Sequence, residues 1–587
     1  MTNEDTNMNS EIFASIQSGQ SFIFEAGPGS GKTRSLIETL KQILKEPDNI
    51  INAQKQKIAC ITFTNVAANE ITERLDDDSN VVHVSTIHSF LWNQVRPYQS
   101  ELCDIITSIN NDPNRPAKKI ISNLDLNGVE IRYVDGYADL TKGEISHDDV
   151  LEIAYHMFKH HPVLGHVTRC RYPIIFLDEY QDTQPIVIDT LKHILTLEPI
   201  ADFGYARFLV GLFGDSMQSI YNTGIGNVQP TDLNAVTITK TDNHRSTDTI
   251  VNLINAVRAR SKEAMPVIQT ARRPDQPSSS RCSLYYTTDN VEVTHSTLES
   301  ISRHFGWTLG MDTKILELTH SAISRTAGWN SLHGAINDRS RYALDDFRKG
   351  DDIYSSIFSF VTRLYRAWSA DDGFEALNLL RFHSPGSLRE RTLFGSSEEM
   401  HHWSSLLDEF ATRCSSRDLT QCSISSILNF VWDNDICKQD FQIAQYLERT
   451  DFQNEEHKAR RDNFIHALES IPFSELLKFS EYLDKTSPFS TEHGTKGAEY
   501  DNVILIIDDK TWKQQYRVST LFGSDDHIDA RIERTLRLFY VAISRARNNL
   551  VVVYKNPRSD SIAGAEELFG INNVQPLEEI LPDIAIS

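Results

Sequence analysis

Short apolar runs alternate with longer stretches of helical periodicity along most of the chain. Six runs have the length of a β-strand and are followed by turns rich in Gly, Asp or Asn: residues 21–25, 58–63, 174–177, 208–213, 503–507 and 550–554. Runs that are apolar at nearly every position indicate parallel strands buried on both faces. The pattern predicts an α/β protein whose functional loops lie at the carboxyl ends of its strands.

Two regions depart from this alternation. Residues 96–165 and 331–485 contain few strand signals and are mainly helical in pattern, and in the second region Trp, Leu and Phe recur at i, i+3 and i+4. A chain of 587 residues is expected to form several domains. The two helical regions therefore differ in predicted structure from the α/β segments around them.

The charge balance is strongly acidic. The chain carries 58 Lys and Arg against 81 Asp and Glu, a formal net charge of −23, and 40% of its residues are hydrophobic. A sizeable core is thus expected, whereas broad coating of nucleic acid or of an anionic membrane by a basic surface is not. A narrow basic groove remains compatible with this composition.

Targeting and redox signals point to a soluble cytoplasmic protein. The N-terminal segment MTNEDTNMNS is polar and acidic, and no apolar run approaches the ~20 residues that span a bilayer. The seven cysteines are scattered and form no CxxC pair. We expect reduced thiols and no association with a membrane.

The segment AGPGSGKTR, residues 26–34, lies between an apolar strand pattern and the helical pattern SLIETLKQIL. Glycines in such a turn let backbone N–H groups surround a phosphate chain at a helix N-terminus. Lys32 is expected to reach the β- and γ-phosphates, and Thr33 to bind Mg²⁺. The predicted nucleotide-binding residues here are Ala26, Gly27, Gly29, Ser30, Gly31, Lys32, Thr33 and Arg34.

A second apolar run ends in adjacent acids, IIFLDEYQDTQ. An ATPase needs an acidic metal ligand and a group that orients the attacking water. We assign these roles to Asp178 and Glu179 respectively, so the expected cofactors are ATP and Mg²⁺.

Eight motifs follow one another in the order AGPGSGKT, TFTNVAANE, TIHSF, DEYQDTQ, GDSMQSIY, NHRS, HGTKGAE and LRLFYVAISRA. In this order they resemble the motifs of UvrD/Rep-like superfamily 1 DNA helicases. The resemblance implies two RecA-like P-loop domains with parallel sheets, each carrying a mainly helical insertion. Domain 1A would comprise residues 1–95 and 166–235, with 96–165 as 1B; domain 2A would comprise 236–330 and 486–587, with 331–485 as 2B.

The resemblance also implies roles at the nucleotide. Gln181 would sense the phosphates, Gln218 would contact the γ-phosphate, and Arg245 and Arg545 would act as arginine fingers. Such guanidinium groups stabilise charge on a transferring phosphoryl group. Further nucleotide contacts are implied for His244, which stands where the family usually has an adenine-stacking Tyr, and for Glu499 and Arg537.

For single-stranded DNA, the resemblance places aromatic faces at Phe63 and Tyr221. Base stacking suits a motor because every base has a π-face. Small polar groups could bind phosphates without a charge. The remaining DNA-binding candidates are Thr64, Asn65, Thr86, His88 and His493.

Three functions stay open at this point. The leading one is an ATP-dependent single-stranded DNA translocase and helicase, moving 3′ to 5′ as the family does. The second is a DNA-sensing ATPase that regulates a partner nuclease without processive unwinding, like the helicase-like subunits of anti-phage systems such as Gabija. The third is a P-loop NTPase that binds only protein and is not stimulated by DNA.

Overall fold

The structure is a computed structural model that describes residues 3–45, 50–51, 55–75, 81–134, 138–198, 208–220, 223–273, 280–287, 292–340, 342–383, 397–450, 454–491, 493–509, 516–523 and 530–581. Its strands are β1 Ser21–Ala26, β2 Ile58–Thr62, β3 Val82–Thr86, β4 Arg132–Tyr133, β5 Glu144–Ile145, β6 Ile174–Asp178, β7 Leu209–Gly214, β8 Ala235–Lys240, β9 Asp242–Asn243, β10 Thr270–Ala271, β11 Arg281–Thr287, β12 Thr313–Glu317, β13 Phe489–Thr491, β14 Tyr500–Asp508, β15 Ala546–Lys555 and β16 Val574–Pro576.

Helices account for most of the remaining described chain. They are α1 Asn3–Ser18, α2 Lys32–Lys45, α3 Asn65–Leu75, α4 Ile87–Val95, α5 Gln99–Asn110, α6 His147–His160, α7 Pro162–Arg171, α8 Pro185–Thr196, α9 Asp248–Ala259, α10 His295–His304, α11 His320–Ala327, α12 Asn330–Arg339, α13 Ala343–Lys349, α14 Ser355–Ser369, α15 Gly373–Asn378, α16 Ser397–Cys414, α17 Leu419–Cys422, α18 Ile424–Asp433, α19 Phe441–Glu448, α20 Glu455–Ser470, α21 Phe473–Leu483, α22 Ala530–Ile543 and α23 Ser559–Phe569.

The first sheet has six parallel strands in the order β3-β2-β6-β7-β1-β8. Successive side chains along each strand point to opposite faces. Ile23, Ile175 and Leu212 enter a core formed with α4 to α8, while Phe22, Phe176 and Phe213 enter a second core formed with α1 to α3. Helices thus cover both faces, which explains why these strands are apolar at nearly every position.

The second sheet also has six strands, in the order β13-β12-β14-β15-β11-β16. Strand β12 pairs in parallel with β13 and β14, and β11 pairs in parallel with β16. One continuous hydrophobic core joins this sheet, through Ile504, Ile506, Val551 and Val553, to helices α10 to α16 and α18 to α21. The predicted α/β class with two parallel sheets is confirmed.

The chain divides into two compact units. The first comprises Met1–Cys282, Gln514–Leu550 and Ser559–Ile571, and the second comprises Ser283–Lys513, Val551–Arg558 and Asn572–Ser587. The first sheet, α9 and α22 belong to the first unit, so contacts among them are internal to it. None of the helices that the structure describes is both long enough and apolar enough to cross a membrane.

Candidate nucleotide-binding site

The phosphate loop connects β1 to α2 in the first unit. Strand β1 ends at the buried Ala26, and α2 begins at Lys32. Gly29 and Gly31 have φ values of 71° and 77°, in the left-handed region that residues with a Cβ rarely adopt. The ammonium of Lys32 donates to the carbonyl of Ala26 across 3.3 Å, which folds the side chain back over the loop. The motif therefore has the geometry of an anion-binding loop at a helix N-terminus.

Two amide side chains hold this loop from outside. Asn243 Nδ2 and Gln269 Nε2 donate to the carbonyl of Pro28 at 2.9 Å and 3.0 Å. A Cβ on Gly27 would lie 2.4 Å from the Gln269 side chain, and one on Gly29 would lie 2.6 Å from Cβ of Arg245. The NHRS motif and Gln269 thus pack directly on the phosphate loop, and the two glycines leave room for that approach.

Asp178 ends β6 and is buried. Burial and the neighbouring Glu179 carboxylate raise the pKa of Asp178 to about 7, although the Lys32 ammonium opposes this shift. Glu179 has φ 50° and ψ 45°, an uncommon conformation for a residue with a side chain, and its carboxylate accepts a 2.5 Å hydrogen bond from Gln181 Nε2. The Gln181 carbonyl oxygen on the side chain accepts from the Asp215 N–H at 3.1 Å.

These oxygen donors fit a magnesium ion. Mg²⁺ prefers carboxylate, hydroxyl and phosphate oxygens, and Asp178 and Thr33 supply the first two kinds. A buried carboxylate with a raised pKa gains from a nearby cation because its charged form is otherwise poorly solvated. Asp178 and Thr33 thus carry the kinds of oxygen that Mg²⁺ prefers, and their assignment as its ligands stays a prediction from sequence.

Gln218 lies in a short 3₁₀ turn, Ser216–Gln218, immediately after β7. Its side-chain Nε2 donates to Asp215 Oδ2 at 2.8 Å, and both residues are buried. Asp215 also accepts from Arg258, which bonds Glu25 at the end of β1 as well. Gln218 is thereby tied to the strand that carries the phosphate loop.

Of the two predicted arginine fingers, Arg245 lies beside the phosphate loop. Its backbone N–H donates to Asn243 Oδ1 at 3.0 Å, and its guanidinium donates to the carbonyl of Ser544 at 3.1 Å. Arg545 is buried, and its guanidinium donates to the carbonyl of Val541 at 2.9 Å and to the Ser544 hydroxyl at 2.9 Å. The structure thus joins the NHRS and ISRA motifs through Ser544.

The other predicted nucleotide contacts are dispersed. His244 is exposed, and its N–H donates to the carbonyl of Gly29 at 2.9 Å. Arg34 is exposed on α2 and pairs with Glu38 at 2.8 Å, whereas Arg537 pairs with Glu263 at 2.5 Å. Glu499 is exposed and lies before β14 in the second unit.

The DNA-binding candidates of the TFTN and TIHS motifs lie at the carboxyl ends of β2 and β3, which are adjacent parallel strands of the first sheet. Phe63 is 42% exposed, a large apolar surface for a residue in a loop between a strand and a helix. Thr64 Oγ1 accepts from the N–H of Ala67 at 3.2 Å and so caps α3, and Asn65 is exposed. Thr86 caps α4 by accepting from the N–H of Ser89. These two threonines therefore have a structural role whatever else they contact.

The His88 ring stacks on that of His147, with centroids 4.2 Å apart and planes 19° apart. Burial, and then His147, lower the pKa of His88 to about 4, so this ring is neutral at physiological pH. Tyr221 and the side chain of His493 lie outside the described residues. Their assignment stays a prediction from sequence.

Family comparison agrees with this geometry. A family model of the UvrD/REP helicase N-terminal domain matches residues 8–126 and 99–229, and one of the UvrD-like helicase C-terminal domain matches residues 441–557. The chain belongs to the UvrD/REP helicase family. As a member it is an ATP-dependent DNA helicase by enzyme class, and the phosphate loop, Asp178 and Gln218 all lie within the matched N-terminal region.

Individual proteins are similar to this chain over different lengths. The chain is 24% identical, over 700 aligned positions, to the Gabija protein GajB of Bacillus cereus (strain HuB5-5), covering 95% of this chain and 96% of that protein. It is 28% identical over 311 positions to the ATP-dependent DNA helicase PcrA of Staphylococcus epidermidis, covering 44% of this chain and 41% of PcrA. PcrA of Staphylococcus aureus is 27% identical over 310 positions.

Motif reasoning missed four residues of this helicase site. Gln269 contacts the phosphate loop, and Arg258 and Tyr540 contact Asp215, which holds Gln218. Glu25 bonds Arg258 and Ser216. Two of them carry a local signal: Glu25 is a carboxylate within the mainly apolar strand SFIFEA, and Tyr540 lies in the motif LRLFYVAISRA. Gln269 lies in a segment that resembles none of the eight motifs.

Proposed function

We propose that this chain is an ATP-dependent translocase on single-stranded DNA that unwinds duplex with 3′-to-5′ polarity. The observation that carries the proposal is the arrangement in the first unit, where hydrogen bonds tie Gln218 to the strand that carries the phosphate loop and the buried Asp178 ends another strand of the same sheet. Family membership supports the DNA substrate, and polarity rests on the resemblance alone. The proposed domain division is the one inferred from sequence, with helical insertions at 96–165 and 331–485.

In this mechanism Lys32 and the loop N–H groups bind the phosphates of ATP. Asp178 and Thr33 would hold Mg²⁺, which would supply neutralisation of phosphate charge. Glu179 accepts a proton from the attacking water, and Gln181 holds its carboxylate in place. Arg245, and Arg545 after release from its internal bonds, stabilise the charge that develops on the γ-phosphoryl group.

Movement of the DNA strand would be driven by a shift of the segment that contains Gln218. This segment, GDSMQSIY, runs from β7 to Tyr221, so a shift at the γ-phosphate moves a base-stacking residue three positions away. Phe63, which follows β2 and is exposed, offers a second aromatic face. Hydrolysis would therefore change the grip on bases rather than on a particular sequence.

The direct test is ATP hydrolysis with and without single-stranded DNA. The wild-type protein is expected to hydrolyse ATP at least tenfold faster with DNA, and Lys32→Ala is expected to abolish both rates. Lys41→Ala, an exposed lysine on the same helix, is the matched control. Hydrolysis that is unaffected by DNA would favour the NTPase that binds only protein.

The match to GajB over nearly the whole chain favours a second candidate. On this reading the chain is a DNA-sensing ATPase that works with a partner nuclease in anti-phage defence. It predicts stimulation of ATP hydrolysis by DNA without strand separation by the chain alone. Strand separation by the purified chain would remove the reason to prefer this candidate.

A further inference from the structure

Four side chains form a buried cluster beneath the proposed site, entirely within the first unit. Arg258 on α9 donates to Glu25 Oε1 and to Asp215 Oδ1, each at 2.7 Å, and to the Tyr540 hydroxyl at 2.9 Å. The Tyr540 hydroxyl lies 3.3 Å from Asp215 Oδ2. Arg258 thus bridges β1, the loop after β7 and α22, and we refer to Glu25, Asp215, Arg258 and Tyr540 as the Arg258 cluster.

The cluster is costly to bury, because two carboxylates face one guanidinium. Burial and the Asp215 charge raise the pKa of Glu25, whereas Arg258 opposes them. Burial also acts to raise the pKa of Asp215, but Arg258 and Lys32 outweigh it and hold that pKa below its usual value. Removing the guanidinium would leave uncompensated buried charge. The ionised Asp215 therefore depends on Arg258.

Asp215 in turn holds the segment that carries Gln218. Its Oδ1 accepts from the N–H of Met217 at 3.1 Å, and its Oδ2 accepts from Gln218 Nε2 at 2.8 Å. Glu25 fixes the same segment from the other side, since its Oε1 accepts from the N–H and the hydroxyl of Ser216 at 2.9 Å and 2.6 Å. Every residue of the turn 216–218 is thus bonded to a carboxylate that Arg258 orients.

We propose that Arg258 is a positioning residue for ATP hydrolysis: its two-carboxylate bridge sets the orientation of the turn 216–218 and couples nucleotide state to the DNA-contacting end of that segment. The inference rests on the proposed function, because it assigns Gln218 to the γ-phosphate. Arg258 is assigned no contact with ATP or with DNA. It acts through Asp215 and Glu25.

Lysine is the informative replacement. It keeps the positive charge, but an ammonium on a flexible stem cannot reproduce the planar fork that meets two carboxylates and a hydroxyl at once. If Arg258 served only to neutralise charge, Lys would substitute for it. If the fork orients the turn, Lys fails although the protein folds.

The experiment compares Arg258→Lys with the wild-type protein and with Arg260→Lys, an arginine two positions further on whose side chain is 27% exposed. Rates are expressed per nucleotide-binding site counted by equilibrium titration with a fluorescent ATP analogue. We expect Arg258→Lys to lower the stimulation of hydrolysis by single-stranded DNA on the order of tenfold, with ATP affinity within about twofold of wild type. Arg260→Lys is expected to leave both quantities unchanged.

A merely structural role would give a different result. Loss of folded protein lowers the number of nucleotide-binding sites and leaves the ratio of the DNA-stimulated to the basal rate unchanged. An Arg258→Lys ratio within twofold of wild type, or a loss confined to ATP affinity, overturns the inference.

Glu25→Gln is the second test variant and is used if Arg258→Lys does not fold. It keeps the shape of the side chain and removes the excess buried negative charge, so its thermal midpoint is expected to equal or exceed that of wild type. The DNA stimulation ratio is expected to fall severalfold, because the Ser216 N–H and Arg258 lose a charged acceptor. An unchanged ratio overturns the inference, whereas absence of DNA stimulation in the wild-type protein overturns the proposed function instead.

Discussion

Asp178 makes the proposed nucleotide site sensitive to pH. Its pKa is raised to about 7 by burial and by Glu179, so the free protein carries a proton on this carboxyl group below that pH. Metal binding requires the ionised form and must displace the proton. We expect the affinity for Mg·ATP to fall about tenfold per pH unit below pH 7 and to level off above it. Isothermal titration between pH 5.5 and 8.5 checks this, and a flat profile would contradict it.

The raised pKa of Asp178 also makes the stability of the folded protein depend on pH. Because the folded pKa lies above the ordinary value for Asp, the protonated form is favoured by folding. The contribution of Asp178 to stability is therefore largest at low pH and is lost as the pH rises through about 7. Asp178→Asn is expected to remove this dependence from the free protein while abolishing hydrolysis.

Glu179→Gln separates binding from chemistry. The amide keeps the size of the side chain but cannot accept a proton, so we expect kcat for ATP to fall on the order of 10² to 10⁴-fold with ATP binding retained. Steady-state hydrolysis and equilibrium binding of an ATP analogue measure the two effects. Glu73→Gln, at an exposed position on α3, is the control. Hydrolysis by Glu179→Gln near the wild-type rate would contradict the role of Glu179 as the proton acceptor.

Residue assignments follow from sequence only where a local pattern carries them. Lys32, Asp178 and Gln218 lie in short ordered motifs, so their positions were predictable. The Arg258 cluster was not, because Tyr540 lies 325 positions after Asp215 and 282 after Arg258, and no local pattern reports such a pairing.

At the scale of elements, the phosphate loop is held in place by its neighbours. Gln269 precedes β10, which pairs in parallel with β9, and Asn255 bonds its backbone N–H and carbonyl at 2.8 Å each. The Gln269 side chain therefore reaches Pro28 from a backbone that two hydrogen bonds hold in place. This contact restrains the loop before ATP arrives.

Gln269→Ala is expected to loosen that restraint. Loss of one buried hydrogen bond, about 1 kcal/mol, would weaken ATP binding roughly fivefold with little change in kcat. Gln229→Ala, at an exposed position of the same unit, should bind as the wild type does. Equal affinity of both variants for an ATP analogue would show that Gln269 does not support the loop.

In the first sheet, strand prediction succeeded for the inner strands and failed at both edges, whereas in the second sheet it also missed the inner strands β11 and β12. All six predicted runs are strands, and their predicted ends differ from the observed ends by at most four residues. Strand β3, VHVST, and strand β8, AVTITK, alternate polar and apolar residues because each lies at an edge of the first sheet and is partly exposed. Their weak apolar signal hid them, although β3 carries the TIHS motif at its end.

For the whole molecule, the net charge of −23 constrains how DNA is held. The family assignment shows that an acidic composition is compatible with a DNA substrate. Most of the proposed DNA contacts, Phe63, Thr64, Asn65, Thr86 and Tyr221, are uncharged. A DNA-binding surface of mainly uncharged residues releases few counterions when DNA binds.

We therefore expect binding of single-stranded DNA to depend weakly on salt. Neutralisation of about four phosphates or fewer gives a slope of log K against log salt no steeper than about −3, at roughly −0.7 per phosphate. Fluorescence anisotropy between 50 and 300 mM salt measures it. A slope near −6 would mean that cationic contacts dominate.

The central claim is directional strand separation driven by ATP hydrolysis. The most direct test measures ATP-dependent strand displacement by the purified chain on 3′-tailed, 5′-tailed and blunt duplexes, with Glu179→Gln as the inactive control. The account predicts displacement of the 3′-tailed duplex and little of the other two. Preference for the 5′ tail would contradict the polarity, and no displacement despite DNA-stimulated hydrolysis would contradict the helicase mechanism in favour of a DNA-sensing ATPase.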